Sequence, residues 1–307
     1  MKVVITGPTG AIGMAMLQSC IRRQIQVLAI CHKGSKRIKN IPSSPYIKIA
    51  ETDLSDLSMA GQGIDEKYDI FYHLAWSGTT GEVRNDMYLQ NENVKYTLDV
   101  VKLAKTLGCH TFIGAGSQAE YGRVEGLLRP ETPAFPENGY GMAKLCAGQM
   151  SRHLSGGLGI RHIWVRILSV YGPFDAESSM ISSTLRKLLS GQSVEFTPAE
   201  QMWDYLYSED AAEAMLLLAD KGVGNKVYVL GSGRVRQLKD YIQEMYDITS
   251  EEYGATGDIK IGAKAYADKQ VMYLGADISE LRKDTGFEPE VGFGDGIRRI
   301  LCIICRE

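Results

Sequence analysis

The feature that most constrains this chain is a glycine-rich turn directly after its first strand-like segment. The apolar run Val3 to Thr6 leads into a turn with glycines at every third position, and a helical pattern begins within it. The N-terminus of a helix presents unpaired N–H groups and a partial positive charge, and glycines let a pyrophosphate come close to the backbone. At the first strand-to-helix junction of an alternating chain, this turn predicts a dinucleotide-binding site. We expect contacts from Gly7, Thr9, Gly10, Ala11, Ile12 and Gly13.

The hydrophobic pattern along the chain indicates an α/β fold. Short apolar runs alternate with longer amphipathic ones through the first half, which is typical of a doubly wound parallel sheet. We expect a Rossmann-type domain over residues 1–170, completed by residues of about 203–232, and a smaller substrate-binding domain over most of residues 171–307. The predicted strands are Val3 to Thr6, Gln26 to Cys31, Tyr46 to Ile49, Ile70 to Leu74, Thr111 to Ala115, His162 to Ile167 and Val227 to Leu230. The predicted helices are Ile12 to Arg23, Asn93 to Leu107, Tyr140 to Leu154, Met180 to Leu189 and Leu238 to Tyr246.

The segment after the second predicted strand bears on which dinucleotide binds. A carboxylate at the end of that strand commonly binds the ribose hydroxyls of NAD. Here the first acidic residue of the whole chain is Glu51, and His32, Lys33 and Arg37 follow the strand instead. Cationic donors at this point suit a ribose 2′-phosphate. The sequence therefore predicts that NADP(H) is preferred, and NAD(H) stays possible because a missing carboxylate weakens its recognition without abolishing it.

A second pattern, Tyr140-x-x-x-Lys144, opens a predicted helix in which residues four apart lie on one face. The strand before it ends near Ser117, at the carboxyl edge of the sheet, where open α/β folds bind ligands. Positive charge from Lys144 and from oxidised nicotinamide favours the phenolate of Tyr140. Tyr140 can then exchange a proton with a carbinol or carbonyl oxygen that Ser117 hydrogen-bonds, while hydride moves to or from the nicotinamide. We predict these three residues as the catalytic group.

Taken in order, these motifs resemble the extended short-chain dehydrogenase/reductase family, in its NAD-dependent epimerase/dehydratase group. The likeness spans nearly the full length, because segments of the second half match as well. The resemblance implies a small-molecule substrate, a nucleotide sugar, and a homodimer formed by the helices after Asn93 and Tyr140. The likeness is carried by Gly7-x-x-Gly10-x-x-Gly13, His73-Leu74-Ala75, Ser117 with Ala119-Glu120-Tyr121-Gly122, Tyr140-x-x-x-Lys144, Val170-Tyr171-Gly172-Pro173, Trp203 to Ala212 and Asp277 to Ile297.

The same resemblance implies further site residues. For Asp53 a helix-capping role is a competing interpretation, because Ser and Asp follow close behind it. We interpret His73 as a packed strand residue. Family members acting on nucleotide sugars often carry Asn and Arg where Ser169 and Trp203 stand. The implied cofactor contacts are Asp53, Leu54, Leu74, Ala75, Trp76, Ser169 and Val170, and the implied substrate contacts are Gln118, Ala119, Ser169 and Trp203.

Three functions compete on these residues. The first is an NADPH-dependent reductase of a 4-keto nucleotide sugar, which the basic segment after the second strand favours. The second is a nucleotide-sugar C4 epimerase that recycles its NAD in place, and the third is a non-catalytic NADPH-sensing protein, which the intact triplet disfavours. Dehydration is also disfavoured, because Gln118 and Ala119 stand where dehydratases of this group typically carry Asp and Glu.

Composition narrows the possible partners and the compartment. A net charge of −3 gives no general attraction to nucleic acid or to anionic membranes. Cys302 and Cys305 have a C-x-x-C spacing but no second pair of ligands, so we expect ordinary thiols and no metal site. The first residues enter a strand without a signal-peptide pattern, so we expect a cytoplasmic protein with reduced cysteines and no membrane association.

Overall fold

The computed structural model describes residues 1–61 and 63–306. The strands are β1 Lys2–Thr6, β2 Gln26–Cys31, β3 Ile47–Glu51, β4 Ile70–His73, β5 Thr111–Ser117, β6 Leu127–Leu128, β7 Arg161–Ile167, β8 Ser169–Tyr171, β9 Val194–Glu195, β10 Met202–Tyr207, β11 Lys226–Leu230, β12 Val235–Gln237, β13 Ile259–Lys260 and β14 Tyr273–Ala276. The helices are α1 Ala11–Arg22, α2 Met87–Thr106, α3 Gly139–Gly157, α4 Met180–Leu189, α5 Ser208–Lys221, α6 Leu238–Tyr253, α7 Ser279–Thr285 and α8 Phe293–Ile304.

Seven of these strands form one parallel sheet in the order β11-β7-β5-β4-β1-β2-β3. Helices cover both faces, which explains why the strands read as continuous apolar runs. Helices α1 and α5 pack together on one apolar core, and α2 packs against α3 on the other. The strand order reverses between β1 and β4, and ligands of open α/β sheets bind at such a point. The predicted doubly wound Rossmann-type fold is confirmed.

Helix α2 shows where local capping changed a predicted boundary. The prediction began this helix at Asn93, whereas it begins at Met87. The Asp86 carboxylate accepts hydrogen bonds from the backbone N–H groups of Tyr88 and Leu89, both at 3.1 Å, and so caps a first turn that is mostly exposed. The buried positions of the helix begin only at Gln90, so the predicted boundary followed the buried face and missed this turn.

A second layer lies beyond the main sheet. Strand β10 pairs with β8, β12 and β14, and β14 pairs with β6. Helices α4, α6 and α8 pack around the Tyr171 and Tyr207 side chains in a separate apolar core. Strand β8 follows directly on β7 of the main sheet, so the two layers meet next to Leu168. This junction stands beside the carboxyl edge at which the site forms.

Within residues 1–61 and 63–306, the structure shows neither a membrane-crossing helix nor a cluster of metal-binding side chains. None of the helices there has the length and apolar character that a membrane crossing requires. No group of three or more His, Cys, Asp or Glu side chains within those residues is placed to hold a metal ion. Cys20, Cys31 and Cys109 are buried free thiols, whereas Cys302 and Cys305 are exposed on the last helix and its end.

Candidate active site

The glycine turn between β1 and α1 is shaped by close backbone contacts. Gly7 adopts φ +70°, and a Cβ on it would lie 2.8 Å from the backbone nitrogen of Ala75. A Cβ on Gly13 would lie 2.3 Å from the Gly7 carbonyl oxygen, so α1 can approach the turn only with glycine there. Gly10 is the N-cap of α1, and within the described chain no side chain caps this end and no acidic residue stands in its first turn. The unpaired backbone N–H groups at this N-terminus of α1 suit a pyrophosphate.

A cavity of about 300 Å³ opens at this edge of the sheet, between the glycine turn and the start of α3. It brings the three predicted catalytic side chains into one space with most of the turn. Ala75 stands just behind it, packed against Gly7. The predicted residues that line the cavity are Gly7, Gly10, Ala11, Ile12, Gly13, Leu74, Trp76, Ser117, Tyr140, Lys144 and Val170. The predicted residues that lie outside this lining are Thr9, His32, Lys33, Arg37, Asp53, Leu54, Gln118, Ala119, Ser169 and Trp203.

Ser117 and Tyr140 line the same cavity, and their hydroxyls lie close enough for the Ser117 side chain to lower the pKa of the Tyr140 phenol. Ser117 is the last residue of β5, two residues beyond the predicted end of that strand, and Tyr140 stands in the first turn of α3. Asn138 caps this helix by accepting from the Gly141 N–H at 2.8 Å, which fixes the turn that carries the phenol. Two hydroxyls that face one cavity can bind one carbinol or carbonyl oxygen, as the predicted chemistry requires.

Lys144 is buried and lies against Trp76. Its Nζ donates a hydrogen bond to the Ala115 carbonyl at 2.6 Å and lies 3.8 Å from the centroid of the Trp76 ring. Burial lowers the pKa of the Lys144 ammonium to about 7, against the opposing charge of Glu120. Burial also raises the pKa of the Tyr140 phenol, while the hydrogen bond with Ser117 and the charge of Arg84 hold it down.

Arg84 is a site residue that the sequence analysis did not find. Its guanidinium carbon lies 4.5 Å from the centroid of the Tyr140 ring, whereas Lys144 Nζ lies 5.8 Å from it. Arg84 belongs to a short 3₁₀ segment before α2, 56 positions before Tyr140 in the chain, and no motif links the two. Only the three-dimensional structure brings this second cation to the phenol.

Glu120 supports the site from behind. Its side chain is fully buried, and it accepts hydrogen bonds from the Ser117 backbone N–H at 2.8 Å, the Trp164 indole N–H at 3.0 Å and Arg166 Nε at 2.8 Å. The Ser117 hydroxyl in turn accepts from the Ala119 N–H at 3.2 Å, which completes a capping box. Glu120 therefore fixes the backbone of the residue whose hydroxyl meets Tyr140.

Carboxylates do lie beside the end of β2: Asp53, an implied cofactor contact, and Glu51, which the sequence did not predict at this site. Strand β3 runs parallel to β2, and Glu51 Oε2 accepts the Gly34 N–H at 2.9 Å. Asp53 stands at the N-cap position of a 3₁₀ segment, but its side chain makes no capping hydrogen bond, and Oδ1 lies 3.4 Å from His32 Nε2. Arg37 donates to the carbonyl of Phe174, in the wall of a neighbouring cavity of about 670 Å³. Cationic and carboxylate side chains therefore lie next to each other around the end of β2.

The predicted substrate contacts lie at the junction of the two layers. Trp203 Nε1 donates a hydrogen bond to Ser169 Oγ at 2.8 Å across the paired strands β8 and β10. Ala119 is buried beneath α3, where Gly141 packs against its carbonyl, and Gln118 is half-buried. His73 is buried between Thr6 and Thr97, and burial lowers its pKa to about 3, so it is a packed strand residue.

The sequence matches the model of the NAD dependent epimerase/dehydratase family over residues 3–231. Among curated relatives, CDP-abequose synthase of Salmonella muenchen is 23% identical over 303 residues, which cover 98% of this chain and 97% of that protein. GDP-6-deoxy-D-mannose reductase of Pseudomonas aeruginosa is 26% identical over 260 residues, which cover 81% of this chain and 84% of that protein. The family match thus includes the glycine turn, the triplet and β11.

Solved structures share the same architecture. UDP-N-acetylglucosamine 4-epimerase from Methanobrevibacter ruminantium M1, in complex with UDP-N-acetylmuramic acid, superimposes with a TM-score of 0.87 at 22% identity. The superposition covers 100% of this chain and 99% of that one. The likeness establishes that the fold of the second layer, and not only that of the main sheet, is shared.

Proposed function

Because the chain belongs to the NAD dependent epimerase/dehydratase family, a family of nucleotide-sugar enzymes, we propose that it is an NADPH-dependent reductase of a 4-keto nucleotide sugar. The observation that carries the proposal is the convergence of Ser117, Tyr140 and Lys144 on one cavity with the glycine turn. A bound nicotinamide dinucleotide would supply the hydride. The protein supplies the proton from Tyr140, and Ser117 holds the oxygen that receives it.

The residues next to Ser117 support reduction over dehydration. A dehydratase needs an additional acid and base for elimination, and Gln118 and Ala119 carry no ionisable group. Ala119 is also buried, with its carbonyl packed against Gly141. The carboxylate that follows them in the chain, Glu120, is held by Arg166, Trp164 and the Ser117 backbone, so its oxygens are already occupied.

The segment after β2 supports exchange of the cofactor. Residues 32–34, 36, 37, 39 and 40 are exposed, and this stretch contains four of the cations near the end of β2 together with His32. A reductase releases oxidised cofactor in every cycle, and an exposed basic segment suits a 2′-phosphate that binds and leaves. Such contacts between charged groups weaken with salt.

An epimerase with tightly held NAD is the second candidate, and one observation favours it. Glu51 and Asp53 bring carboxylates to the end of β2, where carboxylate oxygens bind the ribose hydroxyls of NAD. The related fold of the UDP-N-acetylglucosamine 4-epimerase is compatible with either reaction, because fold alone does not fix chemistry.

We expect NADPH to bind more tightly than NADH, and the preference to fall when Lys33 and Arg37 are both replaced by alanine. A charge-assisted hydrogen bond contributes roughly 1.5–3 kcal/mol, and because both side chains are exposed we expect about that much from the pair together, a preference of about tenfold to hundredfold. Fluorescence titration of both cofactors measures it. Glu51→Gln is the matched control. It removes a negative charge that repels phosphate at the same end of β2, so it should strengthen the preference for NADPH. Equal affinities in the parent protein would contradict the expectation.

We expect stoichiometric loss of NADPH absorbance when the protein is offered the correct 4-keto hexose nucleotide. The experiment uses a panel of CDP-, dTDP-, GDP- and UDP-linked 4-keto sugars, with UDP-glucose and UDP-N-acetylglucosamine as controls for epimerisation. A reductase consumes one NADPH for each carbonyl reduced, whereas an epimerase leaves the cofactor pool unchanged. Epimer formation at catalytic cofactor levels, with no NADPH loss on any keto sugar, would replace the reductase proposal by the epimerase.

A further inference from the structure

Arg84 is held against the first turn of α3 by its own carbonyl and by the side chain of the next residue. The neighbouring Asn85 side chain accepts the Gly139 N–H at 3.1 Å. A Cβ on Gly139 would lie 3.0 Å from the Arg84 carbonyl oxygen, so the two backbones touch. The 3₁₀ segment Glu82–Asn85 is therefore fastened to the same turn that carries Tyr140. The guanidinium has a defined place relative to the phenol.

The Arg84 side chain is directed to an aromatic ring and to no carboxylate. Its guanidinium carbon lies 4.5 Å above the Tyr140 ring centroid, and Trp76 meets the same ring edge-on at 6.1 Å and 83°. Within the described part of the chain, the guanidinium makes one weak hydrogen bond, to the Thr79 carbonyl at 3.4 Å, and no ion pair. A half-buried arginine without a carboxylate partner keeps its charge available to the phenol.

Other charged groups around Tyr140 are less well placed. Lys144 is drawn toward the Ala115 carbonyl and the Trp76 face. Glu120 lies behind Ser117 and opposes ionisation of the phenol, and Asp175 is a further carboxylate in the lining of the cavity. Arg84 is thus the cation closest to the Tyr140 ring within the described residues.

We propose that Arg84 is a positioning residue for proton transfer, whose charge and stacking favour the phenolate of Tyr140 and fix the plane of its ring. The proposal rests on the proposed role of Tyr140 as proton donor. When a carbonyl is reduced, the Tyr140 O–H bond breaks, the substrate oxygen takes the proton, the carbonyl carbon takes hydride from the reduced cofactor, and the phenolate remains. The guanidinium stabilises that phenolate by Coulomb attraction and by contact with the ring.

The test measures ionisation of residue 140 without any substrate. 3,5-Difluorotyrosine is introduced at position 140 of the full chain, and its ¹⁹F chemical shift is followed against pH in the parent and in Arg84→Gln, Arg84→Met and Arg84→Lys backgrounds. Fluorine lowers the phenol pKa into a range that the folded protein tolerates. We expect the midpoint to rise by about one pH unit in Arg84→Gln and Arg84→Met, because a neighbouring positive charge is lost, and to return toward the parent value in Arg84→Lys.

Arg152→Gln is the matched control, since it removes one positive charge from the exposed face of the same helix and should leave the midpoint unchanged. Arg84→Met keeps an unbranched stem over the ring, so it reports on charge even if Arg84→Gln fails to fold. An unchanged midpoint in a folded Arg84→Met or Arg84→Gln protein overturns the proposal. Normal turnover of a Tyr140→Phe variant would instead overturn the role of Tyr140, so the two failures are distinct.

Discussion

Replacement of Tyr140 by phenylalanine is expected to lower turnover by about 100-fold or more, because general acid–base groups typically contribute that much. The substitution removes only the phenol hydroxyl, which shares the cavity with Ser117. The ring stays between the Arg84 guanidinium and the edge of Trp76, so the shape of the cavity should be kept. The NADPH affinity should therefore change little, and fluorescence titration of NADPH next to steady-state rates measures both quantities.

Two further variants separate the phenol's chemistry from general effects. Tyr88→Phe removes the hydroxyl of a tyrosine that is 89% exposed on α2, and it should keep the parent rate. Ser117→Ala should cost less than Tyr140→Phe, since Ser117 binds the reacting oxygen without transferring its proton. If Tyr140→Phe turned over normally, the proton would come from another group and the assignment of this site would be wrong.

The glycine turn and the main sheet could be predicted because both depend on local patterns. A turn with φ +70° at Gly7 and a close contact at Gly13 needs glycine at those positions, so the sequence shows it directly. Buried parallel strands form unbroken apolar runs, and β2 was predicted with the bounds it has. The ends of other elements moved by several residues where polar groups decided them, as Asp86 did for α2.

The missed site features depend on contacts between distant parts of the chain. The sequence prediction considered only the residues directly after β2. The parallel register of β2 and β3 instead places Glu51 opposite Cys31. The contact of Arg84 with Tyr140 joins a 3₁₀ segment to the first turn of α3, and no sequence period connects the two. Outside the main sheet, β6, β9 and β13 are two residues long, too short for alternation to show. Their pairing follows from tertiary packing.

The buried ion pair between Glu120 and Arg166 is expected to dominate the stability of the site. Glu120→Ala leaves the Arg166 guanidinium buried without its carboxylate, and breaking such a pair costs about 3–5 kcal/mol. It also removes the acceptors of the Trp164 indole and of the Ser117 backbone. Urea denaturation followed by circular dichroism measures the free energy of unfolding.

The exposed pair Arg123 and Glu137 provides a matched comparison. Its nitrogen and oxygen are also 2.8 Å apart, but both side chains are partly open to water. Glu137→Ala should therefore cost much less stability than Glu120→Ala, because water solvates the arginine that remains. Both pairs join an arginine Nε to a glutamate oxygen at the same separation, so the contrast reports the burial of Arg166 together with the two further hydrogen bonds that Glu120 accepts.

A double variant then distinguishes loss of the pair from loss of packing. Glu120→Leu with Arg166→Met removes both charges and keeps apolar volume, so it should be more stable than Glu120→Ala although it lacks the same ion pair. Ser117 would still lose the carboxylate that accepts its backbone N–H, and turnover should remain low even where stability returns. Equal small losses for Glu120→Ala and Glu137→Ala would show that water reaches Arg166 and that the pair does not fix the Ser117 backbone.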